Sequence, residues 1–477
     1  MPGGIRDKAP TPSSMGDVLA DDSPTMELAG LFRVRGHELY LVGGHLRDWW
    51  LGRETSSDVD LATDAPPEAT LEIVRPRATN LWLQGVRFGT VGAEVDGQRV
   101  EITTFRSERY HPESRHPEVA FEADIHSDLG RRDFTINALA LRLPERELLD
   151  PFAGRADLEA RLIRTPGDPK ASLGDDPLRM LRAFRFASQL EFSIADEVLL
   201  AVTELKDQIR TVSAERVRDE LSKLVTGKAP GAALALAEPT GLTRLFLPEL
   251  SELRLEQDPV HRHKDVFAHT LAVVERTPAK LPLRLAALLH DIGKPRTRRI
   301  GPEGVSFHHH EVVGAEMARR RLRALRYPND LVDAVAELIR LHHRFHTYRL
   351  GWSDSAVRRY ARDAGPLLDD LNSLVRADCT TRNRDLAKRL ASRMDELTER
   401  IEDLAAREQL DRLRPELDGN EIMAILGVEP GPLVGEARSF LLDLRLDEGP
   451  VSKEAARERL LAWARERGLG PAPRPPE

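Results

Sequence analysis

The stretch Leu39–Thr63, LYLVGGHLRDWWLGRETSSDVDLAT, constrains this chain more than any other. It opens as an apolar strand, turns on Gly43-Gly44, continues as a short helical segment and returns as a strand through Asp58-Val59-Asp60-Leu61. Residues two apart on a strand share a face, so Asp58 and Asp60 project together while Val59 and Leu61 enter the core. Two carboxylates so placed repel each other unless a cation sits between them. Hard divalent cations such as Mg²⁺ take oxygen ligands and leave room for substrate phosphates. The paired glycines let backbone approach an anion, and their N–H groups can cradle a triphosphate. Alone, an Asp-x-Asp is ordinarily a solvated strand edge and a Gly-Gly a plain turn. Together, with Arg47-Asp48 and Leu51-Gly52 between them, they point to metal-assisted nucleotidyl transfer.

At 477 residues the chain can hold three or more domains, each with its own core. With 41% hydrophobic, 31% charged and 5% aromatic residues it reads as soluble and mainly helical. No apolar run approaches the ~20 residues of a membrane span. The first 26 residues have no hydrophobic stretch and read as a disordered leader rather than a secretory signal, with Met15 and Met26 as alternative starts. The single cysteine, Cys379, excludes intrachain disulfides and cysteine-rich zinc sites and fits a reducing cytoplasm. A net charge of −8 means that any nucleic-acid contact comes from local basic patches. Arginine outnumbers lysine, which suits bidentate phosphate contacts and equally suits a GC-rich genome.

Three later stretches carry chemistry. In Arg131-Arg132-Asp133-Phe134-Thr135-Ile136-Asn137, donors and an acceptor stand beside an apolar helix start, able to grip a phosphate and accept from a ribose hydroxyl. In DDPLRMLRAFR, Asp176 followed by Pro177 is a strong helix start. Asp176, Arg179, Arg182 and Arg185 then recur every three residues as one polar ridge. Asp176 and Arg179, one turn apart, can offer an acceptor and a fork of donors to one base edge, favouring C and A over U and G. The ordinary alternative is a capped helix with exposed arginines. After Pro259 the composition turns to histidine: His269, the pair His290-Asp291, His310, His342 and the distant Asp378. An adjacent His-Asp at a helix end with a separate His and a remote Asp is the layout of a mixed nitrogen and oxygen divalent-metal site.

The Gly-Gly and Asp-x-Asp stretch resembles the signature of class II tRNA nucleotidyltransferases and bacterial poly(A) polymerases, within the polymerase-beta-like nucleotidyltransferase superfamily. His45 departs from the small residue usual after Gly-Gly. RRDFTINALA resembles the family's ribose-recognition motif, which assigns the sugar 2′-OH to Arg132 and Asp133 and an ordering role to Asn137. DDPLR resembles its base-selecting Glu-Asp-x-x-Arg motif, with Asp175 in place of Glu. Glu101, in the strand Val100–Phe105, resembles the third carboxylate of the metal site. Residues 107–127 are similar to the flexible segment between the metal and ribose sites. The histidine-rich half matches the HD phosphohydrolase signature, which leaves His310 and His342 for a second metal or for substrate.

This resemblance implies an α/β head at 27–165 and an all-α neck at 166–256. An HD domain at 257–400 and a helical body and tail at 401–477, with a disordered end, would follow. Gly43, Gly44, Arg47, Arg132, Asp133, Asn137, Asp176, Arg179, Arg182 and Arg185 would bind nucleotide. Asp58 and Asp60 would hold Mg²⁺, and the HD site a divalent metal of unspecified identity. The implied activity is template-independent addition of C, C and A to tRNA from CTP and ATP in the cytoplasm, with no membrane and no template nucleic acid. Poly(A) polymerase and CC-only or A-only addition are the related alternatives. An HD metallophosphohydrolase with a nucleotide-binding head is the alternative of another class.

Overall fold

A computed structural model describes residues 18–53, 58–86, 89–105, 107–109, 118–120, 124–255, 265–301, 304–347, 352–379, 384–408 and 414–469. Most of the expected leader and of the segment 107–127, and nearly all of the C-terminal end, fall outside these residues. The chain divides into two compact units, 1–246 and 247–477.

The first unit is built on a seven-stranded sheet. In chain order its strands are β1 (Leu39–Val42), β2 (Asp58–Thr63), β3 (Ala78–Trp82), β4 (Thr90–Val95) and β5 (Gln98–Thr104). A short antiparallel pair, β6 (Ser107–Arg109) and β7 (Glu118–Ala120), stands apart from it. The sheet is completed by β8 (Ala140–Leu143) and β9 (Glu147–Leu149), giving the order β3-β4-β5-β2-β1-β8-β9. All pairings are antiparallel except β2 with β5. β1 is buried at every position, as a central apolar strand must be. β2 alternates as its sequence requires: Val59 and Leu61 are buried, while Asp58 and Asp60 face out.

The helix Pro24–Val34 begins inside the segment expected to be leader. Ser23 accepts from the Met26 amide and proline occupies the first turn, so the chain is already anchored there. After the sheet the chain becomes helical. The Leu178–Leu190 and Ala214–Val225 helices pack together, with Leu181, Phe184, Leu221 and Leu224 in the core between them.

The second unit is almost wholly helical. Helices Val266–Arg276, Leu281–Leu289, His310–Ala324, Asn329–Leu341 and Leu368–Asp378 pack around buried Val273, Leu285, Leu288, Val335, Leu338 and Leu374. A hairpin of β12 (Arg299–Gly301) and β13 (Gly304–Ser306) precedes the third of these; β10 (Leu162–Ile163) and β11 (Ser193–Ile194) form a parallel pair in the first unit. The helix Arg384–Glu408 passes unbroken through position 400, where the tail was expected to begin. The last three helices, Gly419–Leu426, Pro432–Glu448 and Lys453–Glu466, share a core of Leu417, Ile422, Leu441, Leu460 and Trp463. Among the described residues no helix is long and apolar enough to cross a membrane.

Candidate active site and metal centre

The parallel pairing of β2 and β5 sets Asp60 directly opposite Glu101, following Asp58 opposite Arg99 and Val59 opposite Val100. In-register residues of neighbouring strands point to one face. Asp58, Asp60 and Glu101 therefore share the open face of the sheet, and all three are exposed. Water reaches Asp60, yet protein surrounds its carboxyl as in the wall of a cleft. That partial burial raises its pKa, Glu101 and then Asp58 raise it further, and only Arg132 opposes them. The excess negative charge suits a divalent cation with oxygen ligands.

Gly43 closes this site from β1. Its φ of +78° disfavours other residues, and a β-carbon there would stand 3.2 Å from Asp60 Oδ2 and 3.4 Å from Arg132 Nη1. The helix Gly44–Trp50 follows at once, so the backbone enters it beside the carboxylates. His45 turns inward and is buried, and burial lowers its pKa.

A polar network continues from this helix into the helical layer. Arg47 Nη1 donates to Asn137 Oδ1 at 2.8 Å, while Nε and Nη2 hold Asp48. Asn137 Nδ2 donates to Asp133 Oδ1 at 2.9 Å, and Arg182 donates to Asp133 Oδ2 through Nε at 2.8 Å and Nη2 at 2.5 Å. Burial works to raise the Asp133 pKa, but Arg182 and Asn137 overcome it and leave it lowered. Arg185 pairs with Glu220 at 2.7 Å, and burial pushes its pKa down to about 10. The Phe186 ring lies under three guanidiniums, 3.9 Å from Arg185, 5.1 Å from Arg47 and 5.7 Å from Arg182.

The expected single ridge along 176–185 is corrected by this geometry. A three-residue step turns a helix through about 300°, so three steps carry a side chain to the opposite face. Arg185 is consequently buried against Glu220 rather than exposed beside Arg179. The helix itself starts at Leu178, with Asp176 Oδ1 still accepting from its amide at 3.1 Å. Asp176 Oδ2 accepts from Arg216 at 2.9 Å. Arg179 is engaged by the Ser172 hydroxyl and carbonyl and by the Arg131 carbonyl. Glu220 and Phe186 escaped the sequence reading. Glu220 lies three residues after the buried Val217, so its register on an apolar face was the available signal.

In the second unit, helix ends deliver the histidine cluster. His290 follows the helix Leu281–Leu289, His342 follows Asn329–Leu341, His310 opens its helix and Asp378 closes another. His290, His310 and His342 each place Nδ1 2.6–2.8 Å from a carbonyl three residues earlier. A carbonyl only accepts, so each Nδ1 carries a hydrogen and each Nε2 is the nitrogen turned toward the cluster. His269 Nε2 lies 2.9 Å from Asp378 Oδ1, and His290 Nε2 lies 3.2 Å from Asp291 Oδ2. His310 Nε2 is 3.3 Å from His342 Nε2 and 3.7 Å from Asp291 Oδ1.

Among the described residues two donor groups converge within 4.8 Å: His269, His290 and Asp291, and Asp291, His310 and His342. Asp291 belongs to both, one oxygen toward each. Burial lowers the His290 pKa, but Asp291 and Asp378 outweigh it and raise it to about 10. Burial pushes His342 down to about 3. The carboxylates thus demand positive charge while His342 stays neutral, a donor set that fits a divalent metal. Lys294, which the sequence reading left aside, meets Asp291 Oδ2 at 2.7 Å.

A fold of this kind, with a polymerase-beta-like sheet, a polar helical layer after it and an HD cluster downstream, defines a nucleotidyltransferase fused to an HD domain. Family comparison agrees: residues 39–164 match the poly A polymerase head domain, 191–253 the probable RNA and SrmB-binding site of polymerase A, and 266–407 the HD domain. The chain is 35% identical over 441 residues to the A-adding tRNA nucleotidyltransferase of Deinococcus radiodurans, covering 89% of this chain and 95% of that one. It is 34% identical over 443 residues to the CC-adding tRNA nucleotidyltransferase of Thermus thermophilus, covering 89% and 94%. The fold is similar to that of the Bacillus stearothermophilus CCA-adding enzyme in complex with CTP, with a TM-score of 0.71 at 23% identity over 96% of this chain and 99% of that one. The chain belongs to the tRNA nucleotidyltransferase and poly(A) polymerase family.

Gly293 is packed so that a β-carbon would stand 2.1 Å from the His310 carbonyl oxygen and 2.8 Å from the Gly314 nitrogen. Gly293→Ala must push the His310 helix away from Asp291. Isothermal titration with Mn²⁺ should show the HD cluster's affinity reduced by about tenfold or more, the scale of outer-shell effects. An unchanged affinity would show that this contact does not position the cluster.

Proposed function

We propose that this enzyme adds C, C and A to the 3′ end of tRNA, taking CTP and ATP without a template, in the cytoplasm. The register that sets Asp60 against Glu101 beside the Gly43 turn carries this reading, and the full-length similarity to two tRNA nucleotidyltransferases supports it. Asp58 and Asp60, with Glu101, would hold Mg²⁺. Such ions, when bound, lower the pKa of an attacking 3′-hydroxyl and offset charge on departing pyrophosphate. Gly43 and Gly44 bring backbone close to the triphosphate, and Arg132 adds a positive charge beside it. Asp133 and Asn137, locked by Arg182 and Arg47, offer a rigid polar surface to the ribose. Asp176 and Arg179 would exchange their present partners for a base edge. The HD cluster would hold one or two divalent metals and hydrolyse a phosphate ester.

Three members of this family divide the tail differently, so the deciding assay uses tRNA ending before CCA. CTP alone should extend it by two residues, and CTP with ATP by three. Two residues under both conditions would mark a CC-adding enzyme, and extension only of tRNA already ending in CC an A-adding one. A long A tract would mark a poly(A) polymerase.

Asp60→Asn keeps side-chain shape and removes a metal-binding charge. It should abolish incorporation of labelled CTP and leave any HD hydrolysis intact, and Asp291→Ala should do the reverse. Loss of both activities in a folded Asp291→Ala protein would defeat the independence of the two sites.

Arg179→Ala removes the guanidinium beside Asp176. Incorporation of the four nucleotides into the same tRNA should become less selective, with smaller loss of triphosphate affinity. An unchanged preference for C and A would move base selection to other residues.

A further inference from the structure

Beside the HD cluster lies a cavity of about 460 Å³ lined by Arg296, Thr297, Arg298, Arg299, His308 and His309. Its two walls flank cluster residues in the chain: Arg296 follows Asp291 by five positions, and His309 immediately precedes His310. The walls are joined backbone to backbone where Gly293 meets His310. His309 adopts a left-handed conformation, with φ of 62°. Successive imidazoles therefore diverge: His310 turns inward and is buried, while the His309 side chain is 83% exposed.

The cavity gathers positive charge that carboxylates among the described residues do not neutralise. Lys294 is taken by Asp291, and His309 stands 4.0 Å from Glu311. Among the described residues, Arg296, Arg298 and Arg299 pair with no carboxylate, and Arg298 Nε is buried without a hydrogen-bond partner. The chain as a whole carries 78 acidic against 70 basic side chains, so three unpaired guanidiniums together are not a general property of its surface. Their mutual repulsion is relieved by an anion, and the guanidinium fork suits phosphate. The volume exceeds what one phosphate fills and lies in the range of small-molecule sites.

We infer that this cavity holds a second phosphate of the molecule the HD centre hydrolyses, an inference resting on the phosphohydrolase reading above. The substrate is then a nucleotide or RNA end bearing two phosphates separated by a ribose, not an isolated phosphomonoester. In the reaction a water oxygen bonds to phosphorus, the ester P–O bond breaks, and the ribose oxygen leaves with a proton as a hydroxyl.

The test compares kcat/KM for adenosine 2′-phosphate, adenosine 2′,5′-bisphosphate and a dinucleotide ending in a 2′-phosphate, with Mg²⁺, Mn²⁺, Co²⁺ or Ni²⁺. The parent should prefer a second phosphate by about tenfold, and Arg298→Gln/Arg299→Gln should lose that preference, as expected for charge-assisted contacts. Arg296→Gln/Arg299→Gln, in which both residues are exposed, serves if the first pair lowers the melting temperature. Preference for the bisphosphate identifies a free nucleotide, and preference for the dinucleotide an RNA end. Equal rates on all three substrates, or a preference that survives in the variants, overturns the inference. So does a variant that weakens tRNA binding alone. If the parent hydrolyses nothing, the phosphohydrolase reading fails and equilibrium dialysis of labelled bisphosphate decides the cavity. About tenfold weaker binding to the variant upholds the phosphate site, and equal binding removes it.

Discussion

Everything in the head depends on an unfavourable contact held in place by favourable ones. The parallel pairing of β2 with β5 sets the carboxylates of Asp60 and Glu101 on neighbouring strands, with Asp58 on the same face. Val59, Leu61, Val100 and Ile102, all essentially buried, lock that register from the other face. A slip of one residue would bury the carboxylates and expose these side chains, so the hydrophobic core enforces the repulsion. Burial of the Asp60 carboxyl raises its pKa most, the charge of Glu101 raises it further, and Arg132 opposes them.

The second unit solves a related problem with different groups. Asp291 is buried, so it is surrounded by imidazoles and by Lys294 instead of by water, and Asp378 is largely covered beside it. Each of three histidines is oriented by a carbonyl of its own chain segment, leaving one nitrogen committed to the cluster. Nitrogen-rich donors here and carboxylates alone in the head should select different metals. One chain therefore carries two centres whose chemistry need not compete.

How much of this was legible in the sequence follows from the range of the interactions. The period-two spacing of Asp58 and Asp60 and the glycine turn before them are local, and the structure reproduces both. The histidine cluster was legible as a set of residue types, because few other arrangements explain a His-Asp pair at the end of an apolar helix. Pairings that join distant segments were not. Asp176 with Arg216 and Arg185 with Glu220 depend on how two helices pack, and regular spacing along one helix misled where rotation accumulates. The basic cavity is another such case, since its walls are separate segments joined at Gly293. His45, which departs from the small residue usual after Gly-Gly, is accommodated by turning inward to a buried position.

The fold holds the head's carboxylates closer together than their repulsion favours, a strain that a bound divalent cation would relieve. Calorimetric melting of the parent and Asp60→Asn, each with and without Mg²⁺, addresses it directly. Without metal, Asp60→Asn should melt at or above the parent, because the substitution removes repulsion. With Mg²⁺ the parent should gain stability by ligand linkage and overtake the variant, whose gain is confined to the HD centre. Equal gains in the two proteins, or a metal-free variant markedly less stable than the parent, would contradict the account.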